Sequence, residues 1–180
     1  SALGDFILAL GTMEAIRRHH KDAHITLLTT RPFLDIAERS GYFNDIIIDS
    51  RPKFYELPQW FFLFRHFNEG KFTRVYDLQL NDRTKIYHRL FLKKPEWSGV
   101  IAGSPLFYPN PDWRNMHAFK RHREIFKVAG IEMSRTDISW MKADGNPFNL
   151  QKPYILLIPG SAPMHPKKRW PALRYGALGL

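Results

Sequence analysis

The sequence predicts an α/β fold, a parallel β-sheet with helices on both faces. Two observations predict it. Segments with apolar side chains at helical spacing alternate along the chain with short β-rich runs. The connections between them are short, as in βαβ units. No internal repeat or low-complexity segment interrupts the alternation. In such sheets ligands bind beyond the carboxyl ends of the strands, so the strand-to-helix turns are where function is expected.

The elements follow in order. Residues 6–18, "FILALGTMEAIRR", put Phe6, Ile7, Leu10, Met13 and Ile16 at helical spacing, and Arg17 and Arg18 suit a helix carboxyl end. "AHITLLTT" predicts a buried strand. "RPFLDIAERSG" predicts a helix that stops near Gly41. "NDIIIDS" is the next strand, and "YELPQWFFLFRHFNEGKF" a helix rich in aromatics. "TRVYDLQLN" predicts a strand with a polar end, "RTKIYHRLFLKK" a helix and "WSGVIAGS" a strand. Residues 104–116, rich in Pro and Asn, predict a loop. "MHAFKRHREIFKVAGI" predicts a helix with Gly130 near its end, and "TDISWMKA" a strand. "DGNPFNLQKP" is a linker by composition, and "YILLIPGS" an apolar strand entering a glycine turn. The chain begins on a turn and helix with no strand before it, and "ALRYGALGL" ends it inside a helix. It is therefore expected to be a fragment, truncated at both ends, with a gap or edge where a first strand would lie.

Composition narrows the function. The 180 residues are 44% hydrophobic, enough to build a core. Lys plus Arg number 27 against 17 Asp plus Glu, a net charge of +10 that suggests an anionic partner. There is no cysteine, which excludes disulfides, thiolate metal sites and a thiol nucleophile. No run approaches the roughly 20 apolar residues of a membrane span, so a soluble or peripheral protein is expected. The histidines lack metal-site spacing. His19 and His20 are adjacent and should diverge, and His117 and His122 do not share a helix face, so surface or capping positions are expected.

Two stretches could carry chemistry. In "LGDFILAL", Gly4 permits a tight turn and Asp5 follows it at the start of a helix. Asp5 could cap that helix, or serve as a base aimed at a substrate from the ligand side of the sheet. A carboxylate here would repel phosphate, so the turn is not of the dinucleotide-binding kind. In residues 155–171, "ILLIPGSAPMHPKKRWP", a strand runs into Gly160 and Ser161 and then a basic cluster, Lys167, Lys168 and Arg169. Trp170 and Pro171 open a helix. Small residues, a hydroxyl and lysines beside a helix start suit a pyrophosphate. A solvated basic loop with Trp170 as anchor is equally compatible.

Taken together, these stretches resemble a family. "LGDFILALGTMEAIRRHHKDAHITLLTT" is similar to the N-terminus of the bacterial lipopolysaccharide heptosyltransferases, glycosyltransferase family 9. There a Leu-Gly-Asp turn opens the first helix and a D/P-A-x-I-x-x-L strand follows. "VYDLQLNDRT" resembles the family's D-L-Q-G-N-x-R-S segment. "NMHAFKRHREIFKVAGI" resembles its histidine-started helix, and "YILLIPGS…KKRWP" its P-G-A-S…K-R-W-P segment. The order holds over nearly the whole chain.

The resemblance implies a GT-B fold. Residues 1–149 would form a Rossmann-like acceptor-binding domain, and residues 150–180 the start of the nucleotide-sugar domain. It implies a peripheral, cytoplasmic enzyme at the inner face of the inner membrane. The enzyme would move heptose from ADP-heptose to the anionic lipopolysaccharide core, with inversion and without metal or cofactor. Asp5 falls on the family's general base. Gly160, Ser161 and Lys168 fall on the donor side, with Lys168 neutralising the leaving diphosphate. Gly4, Asn81 and Arg83 fall on the acceptor side, and the basic residues Arg114 and Lys120 are placed near it. Gly11 stands where the family often has proline, and Leu80 where it usually has glycine. The later D-[ST]-G-x-x-H donor segment does not occur, so the chain alone is expected not to complete a donor site.

Residues 55–67 add Trp60, Phe61, Phe62, Phe64 and Phe67 beside Arg65 and His66. They could face the core or contact a membrane surface. The alternative readings of the whole chain are a basic nucleic-acid-binding module or a non-catalytic remnant of the family. No RNA-binding or zinc-finger pattern supports the first, and nucleic acid is not an expected partner.

Overall fold

The computed structural model describes residues 3–134, 136–142, 149, 151, 153–157, 160 and 166–178. The chain divides into two compact units, Ser1–Lys142 and Ala143–Leu180.

In the first unit helices and strands alternate as the periodicity predicts. They run α1 (Leu3–His19), β1 (Thr26–Thr29), α2 (Leu34–Ser40), β2 (Asp45–Ile48), α3 (Leu57–Glu69), β3 (Arg74–Tyr76), α4 (Asp82–Leu90), β4 (Glu96–Gly99), β5 (Leu106–Phe107) and α5 (Ala118–Lys127). Gly41 ends α2 in the left-handed region, φ 67°, where a side chain would be strained. Asn81 starts α4 with a capping box. Its side chain accepts from the Thr84 N–H and the Thr84 hydroxyl accepts from the Asn81 N–H.

The described strands are all parallel, but they form two sheets instead of one. β1 pairs with β2, Thr26 opposite Asp45, and β3–β4–β5 form the other, Arg74 opposite Glu96 and Ser98 opposite Leu106. Helices cover both faces. Leu27 packs among Phe6, Leu10 and Met13 of α1, and Tyr76 and Leu78 pack against Ile16, Ile125 and Phe126 of α1 and α5. On the other face Leu28, Ile47 and Val75 meet Leu63, Phe67 and Tyr87 of α3 and α4.

Four local expectations change. The 104–116 loop contains β5 and a 3-10 turn, Pro111–Asn115, because Leu106 and Phe107 find the edge of β4. "TDISWMKA" is a 3-10 turn, Ser139–Met141, not a strand. Asp137 accepts the Ser139 N–H at 2.8 Å, a local bond that competes with a ladder, and the Trp140 indole N–H donates to the Tyr42 hydroxyl at 3.2 Å. Residues 154–157 form no ladder among the described residues. Gly4 and Asp5 lie inside α1, in its first turn, and Gly4 is helical instead of forming a tight turn. In α3, Leu63 and Phe67 are buried, Trp60 and Phe64 half-buried, and Phe61 and Phe62 exposed, so the helix serves core and surface at once.

Gly11 has its own reason. A Cβ there would collide with the Thr136 hydroxyl, so glycine lets the segment after α5 cross α1 closely.

In the second unit a 3-10 turn, Pro166–Lys168, precedes α6 (Ala172–Leu178). Trp170 stands just before α6, its ring edge-on to Tyr175 at 5.0 Å and the Arg174 guanidinium 6.0 Å from it. Among the described residues no helix is long and apolar enough to cross a membrane.

Candidate functional site

The turns after β2 and β3 use the same device. After β2, Asp49 Oδ1 accepts the Arg51 N–H at 2.7 Å. After β3, Asp77 Oδ1 accepts the N–H groups of Gln79 and Leu80 at 3.0 and 2.9 Å. A carboxylate that satisfies its own turn holds the backbone tight. Each turn then carries a non-glycine residue in the left-handed region, Arg51 at φ 54° and Leu80 at φ 52°. That conformation costs about 1–2 kcal/mol per residue. Leu80 is the position where the resemblance expects glycine. Its backbone has the conformation a glycine would take, and its side chain is buried with Ile125 and Phe126.

These turns open on a cavity of about 470 Å³. Its floor is β1 and β3, and its mouth carries Asp5, Arg51, Asn81 and Arg83. Behind the mouth the Tyr87 hydroxyl donates to Asp49 Oδ2 at 2.7 Å, and Arg83 Nη1 donates to the Pro52 carbonyl at 3.3 Å and the Tyr87 oxygen at 3.5 Å. Burial, and then the bond to the Asp49 carboxylate, push the Tyr87 pKa up, so the hydroxyl keeps its proton as a donor. Burial also pushes the Asp77 carboxyl up, against the N–H groups that favour its anion.

The third wall is α5. Ala118, Arg121 and His122 share one helix face and line the cavity. His122 Nε2 meets the Leu78 carbonyl at 3.1 Å and Nδ1 meets the Thr12 hydroxyl at 3.2 Å. A carbonyl only accepts, so Nε2 carries the proton and Nδ1 accepts from Thr12. Burial lowers the His122 pKa, and Arg121 acts in the same direction. The expectation of a surface histidine is therefore corrected: His122 belongs to the buried stripe with Ile125 and Phe126. His19 and His20 do not diverge either. The helix ends at His19, their rings meet edge-to-face at 4.6 Å, and His20 Nε2 lies 2.7 Å from the Tyr76 hydroxyl. Arg121 Nε is buried with no hydrogen-bond partner among the described residues. The Arg121 guanidinium lies 5.9 Å from the Trp113 ring, and the residue lines the cavity.

The expected site residues fall into three groups. Asp5, Asn81 and Arg83 line the cavity; Asn81 also caps α4, and its Nδ2 donates to Gln79 at 3.1 Å. Gly4, Arg114 and Lys120 do not line it. Lys120 is exposed on another face of α5, and the Arg114 guanidinium lies 4.9 Å from the Trp113 ring. Gly160 and Lys168 are exposed residues of the second unit, and Ser161 lies outside the described residues. Sequence reasoning missed Asp49, Arg51 and Arg121. The acid and arginine directly after "DIII" were a signal, as was the i, i+3, i+4 spacing of Ala118, Arg121 and His122.

Among the described residues no group of three or more His, Asp and Glu side chains could hold a metal ion. In comparisons with known proteins, no family model, no curated protein and no solved structure matches the chain.

Proposed function

We propose that the first unit is the acceptor side of a Rossmann-like, metal-independent inverting glycosyltransferase, one that transfers heptose from ADP-heptose to the lipopolysaccharide inner core. The observation that carries this reading is that Asp5, Asn81 and Arg83, drawn from two separate stretches of sequence, line one cavity at the carboxyl ends of parallel strands. An alcohol is a poor nucleophile. The Asp5 carboxylate takes the proton of the acceptor hydroxyl as its oxygen bonds to the anomeric carbon. The bond from that carbon to the diphosphate breaks, and ADP leaves from the opposite face. Arg83 and Arg121, whose side chains line the cavity, hold acidic groups of the acceptor. Lys168, in the second unit, offsets charge on the leaving diphosphate.

The test uses the full-length gene product, ADP-heptose and deacylated inner-core oligosaccharide. ADP release should fall roughly 100- to 10,000-fold in Asp5→Asn while oligosaccharide binding is kept. Equal turnover in both proteins would leave Asp5 a first-turn helix residue only. No turnover together with no oligosaccharide binding in the wild type would sink the glycosyltransferase reading.

The same reading favours contact with the membrane that carries the acceptor. Phe54, Leu57 and Phe61 are 87, 69 and 64% exposed around the start of α3, with Arg51, Lys53 and Arg65 nearby in sequence. Flotation with anionic liposomes should be lost in Phe54→Ser plus Phe61→Ser. Unchanged flotation would remove the membrane contact.

A further inference from the structure

One buried carboxylate ties together two of the arginines that line the cavity. Asp49 is only 8% exposed, and its N–H donates to the Thr29 carbonyl at 2.7 Å, which fixes it to the end of β1. Its two side-chain oxygens serve different partners. Oδ1 accepts the Arg51 N–H at 2.7 Å, in the turn that holds Arg51 at φ 54°. Oδ2 accepts the Tyr87 hydroxyl at 2.7 Å. The Tyr87 ring is held in turn by Phe67 and Trp60, edge-on at 5.8 and 6.2 Å. Packing alone would not need the hydroxyl, since Phe67 and Phe91 fill the same cluster without one. A phenol and a carboxylate taken out of water together must be offset by the bonds they make. The phenol proton is committed to Asp49, so toward Arg83 the Tyr87 oxygen can only accept. Arg83 Nη1 donates to that oxygen at 3.5 Å and to the carbonyl of buried Pro52 at 3.3 Å. Both bonds are long, so they restrict the guanidinium more than they stabilise the fold. Both also use one nitrogen. Arg83 Nε and Nη2 make no hydrogen bond among the described residues, and Arg83 lines the cavity.

We propose that Asp49 and Tyr87 are positioning residues, which hold Arg83 by Nη1 so that its Nε–Nη2 side is preset for an acidic group of the acceptor. The acceptor part rests on the function proposed above. The Nε–Nη2 side of a guanidinium binds two oxygens of one acidic group at once. Holding the long side chain beforehand lowers the entropy lost when that group docks. Lysine could not replace Arg83, because one ammonium has no second side by which to be anchored.

The experiment uses the full-length gene product with labelled arginine. The Arg83 Nη resonances are assigned by their absence in Arg83→Lys. They should be separate in the wild type, where Nη1 is held, and merge in Tyr87→Phe as the guanidinium rotates. With deacylated inner-core oligosaccharide, KM should rise about 10-fold in Tyr87→Phe and in Arg83→Lys, while kcat changes less than about twofold. Asp49→Asn, which keeps an acceptor for the Arg51 N–H but can turn an amide donor toward Tyr87, should act in the same direction if Tyr87→Phe does not fold. Merged Nη resonances in the wild type, or separate ones in folded Tyr87→Phe, overturn the positioning. A wild-type KM in Arg83→Lys overturns the two-oxygen contact. A wild type that neither turns over nor binds the oligosaccharide sinks the glycosyltransferase reading and the acceptor part with it, while the resonances still decide the positioning.

Discussion

"AHITLLTT" and "YILLIPGS" are the same kind of sequence, a short apolar run flanked by polar residues, and the two units treat them differently. In the first unit residues 26–29 lie against Asp45–Ile48, and Leu27 is buried under α1. In the second unit residues 154–157 have no ladder among the described residues, and Ile155 is 84% exposed. Hydropathy and β-branching make both runs able to be strands. Among the described residues, a parallel neighbour and a covering helix are found for the first run alone. Strand formation here is a property of the pair, since the backbone bonds and half of the burial come from the partner.

Substitutions can break or sharpen this contrast. The largest effect should come from Phe126→Ala, because Phe126 is fully buried between α1, α5 and β3. A loss of about 3–5 kcal/mol is expected in urea unfolding. Leu80→Gly relieves a left-handed backbone but empties a buried site. Combining about 2–5 kcal/mol for the lost side chain with about 1–2 kcal/mol of relieved strain gives a net loss of about 0–4 kcal/mol. A gain in stability would show that strain dominates there.

Acid should act on the first unit next. Burial holds His122, His20 and His88 below their ordinary 6.5. Below that value the unfolded chain binds protons that the folded chain does not. Stability is therefore full above about pH 6.5 and falls as pH drops through the folded values, by at most about 1.4 kcal/mol per pH unit for each histidine. The urea midpoint should be lower near pH 5.5 than near pH 7.5, and His122→Gln should flatten that difference. An equal difference in the variant would assign the titration elsewhere. Asn81→Ala removes the cap of α4 and should cost about 1 kcal/mol. Ile155→Ser, in the second unit, should change stability by less than about 0.5 kcal/mol. A larger loss would mean that residues 154–157 are packed after all, and the contrast would fail.

The alternation of helices and strands was legible because period and turn chemistry are local. Residues 6–18 carry their helix in their spacing, and Gly41 carries its stop. β5 was not legible, since a two-residue strand exists only where Gly99 and Ser98 lie beside it. Residues 136–143 misled because Thr136 and Ile138 suit a strand, while Asp137 captures its own backbone and Trp140 docks on Tyr42. In the site, Asp5, Asn81 and Arg83 were named from motifs. Arg121 and Asp49 were not, because their relation to the cavity depends on which side of α5 and which end of β2 face inward.

Local physical chemistry therefore settles which segments are helical, where they stop, and which apolar runs between them are able to be strands. Those choices depend on side-chain spacing, capping and backbone freedom within a few residues. Long-range packing settles the rest: that the described strands form two sheets, that His122 is a buried neutral pair with Thr12, and that one cavity gathers residues from α1, β1, β3, α4 and α5. These are contacts between residues up to 110 positions apart. No local term scores them until the chain has closed those loops and the apolar faces have chosen one another.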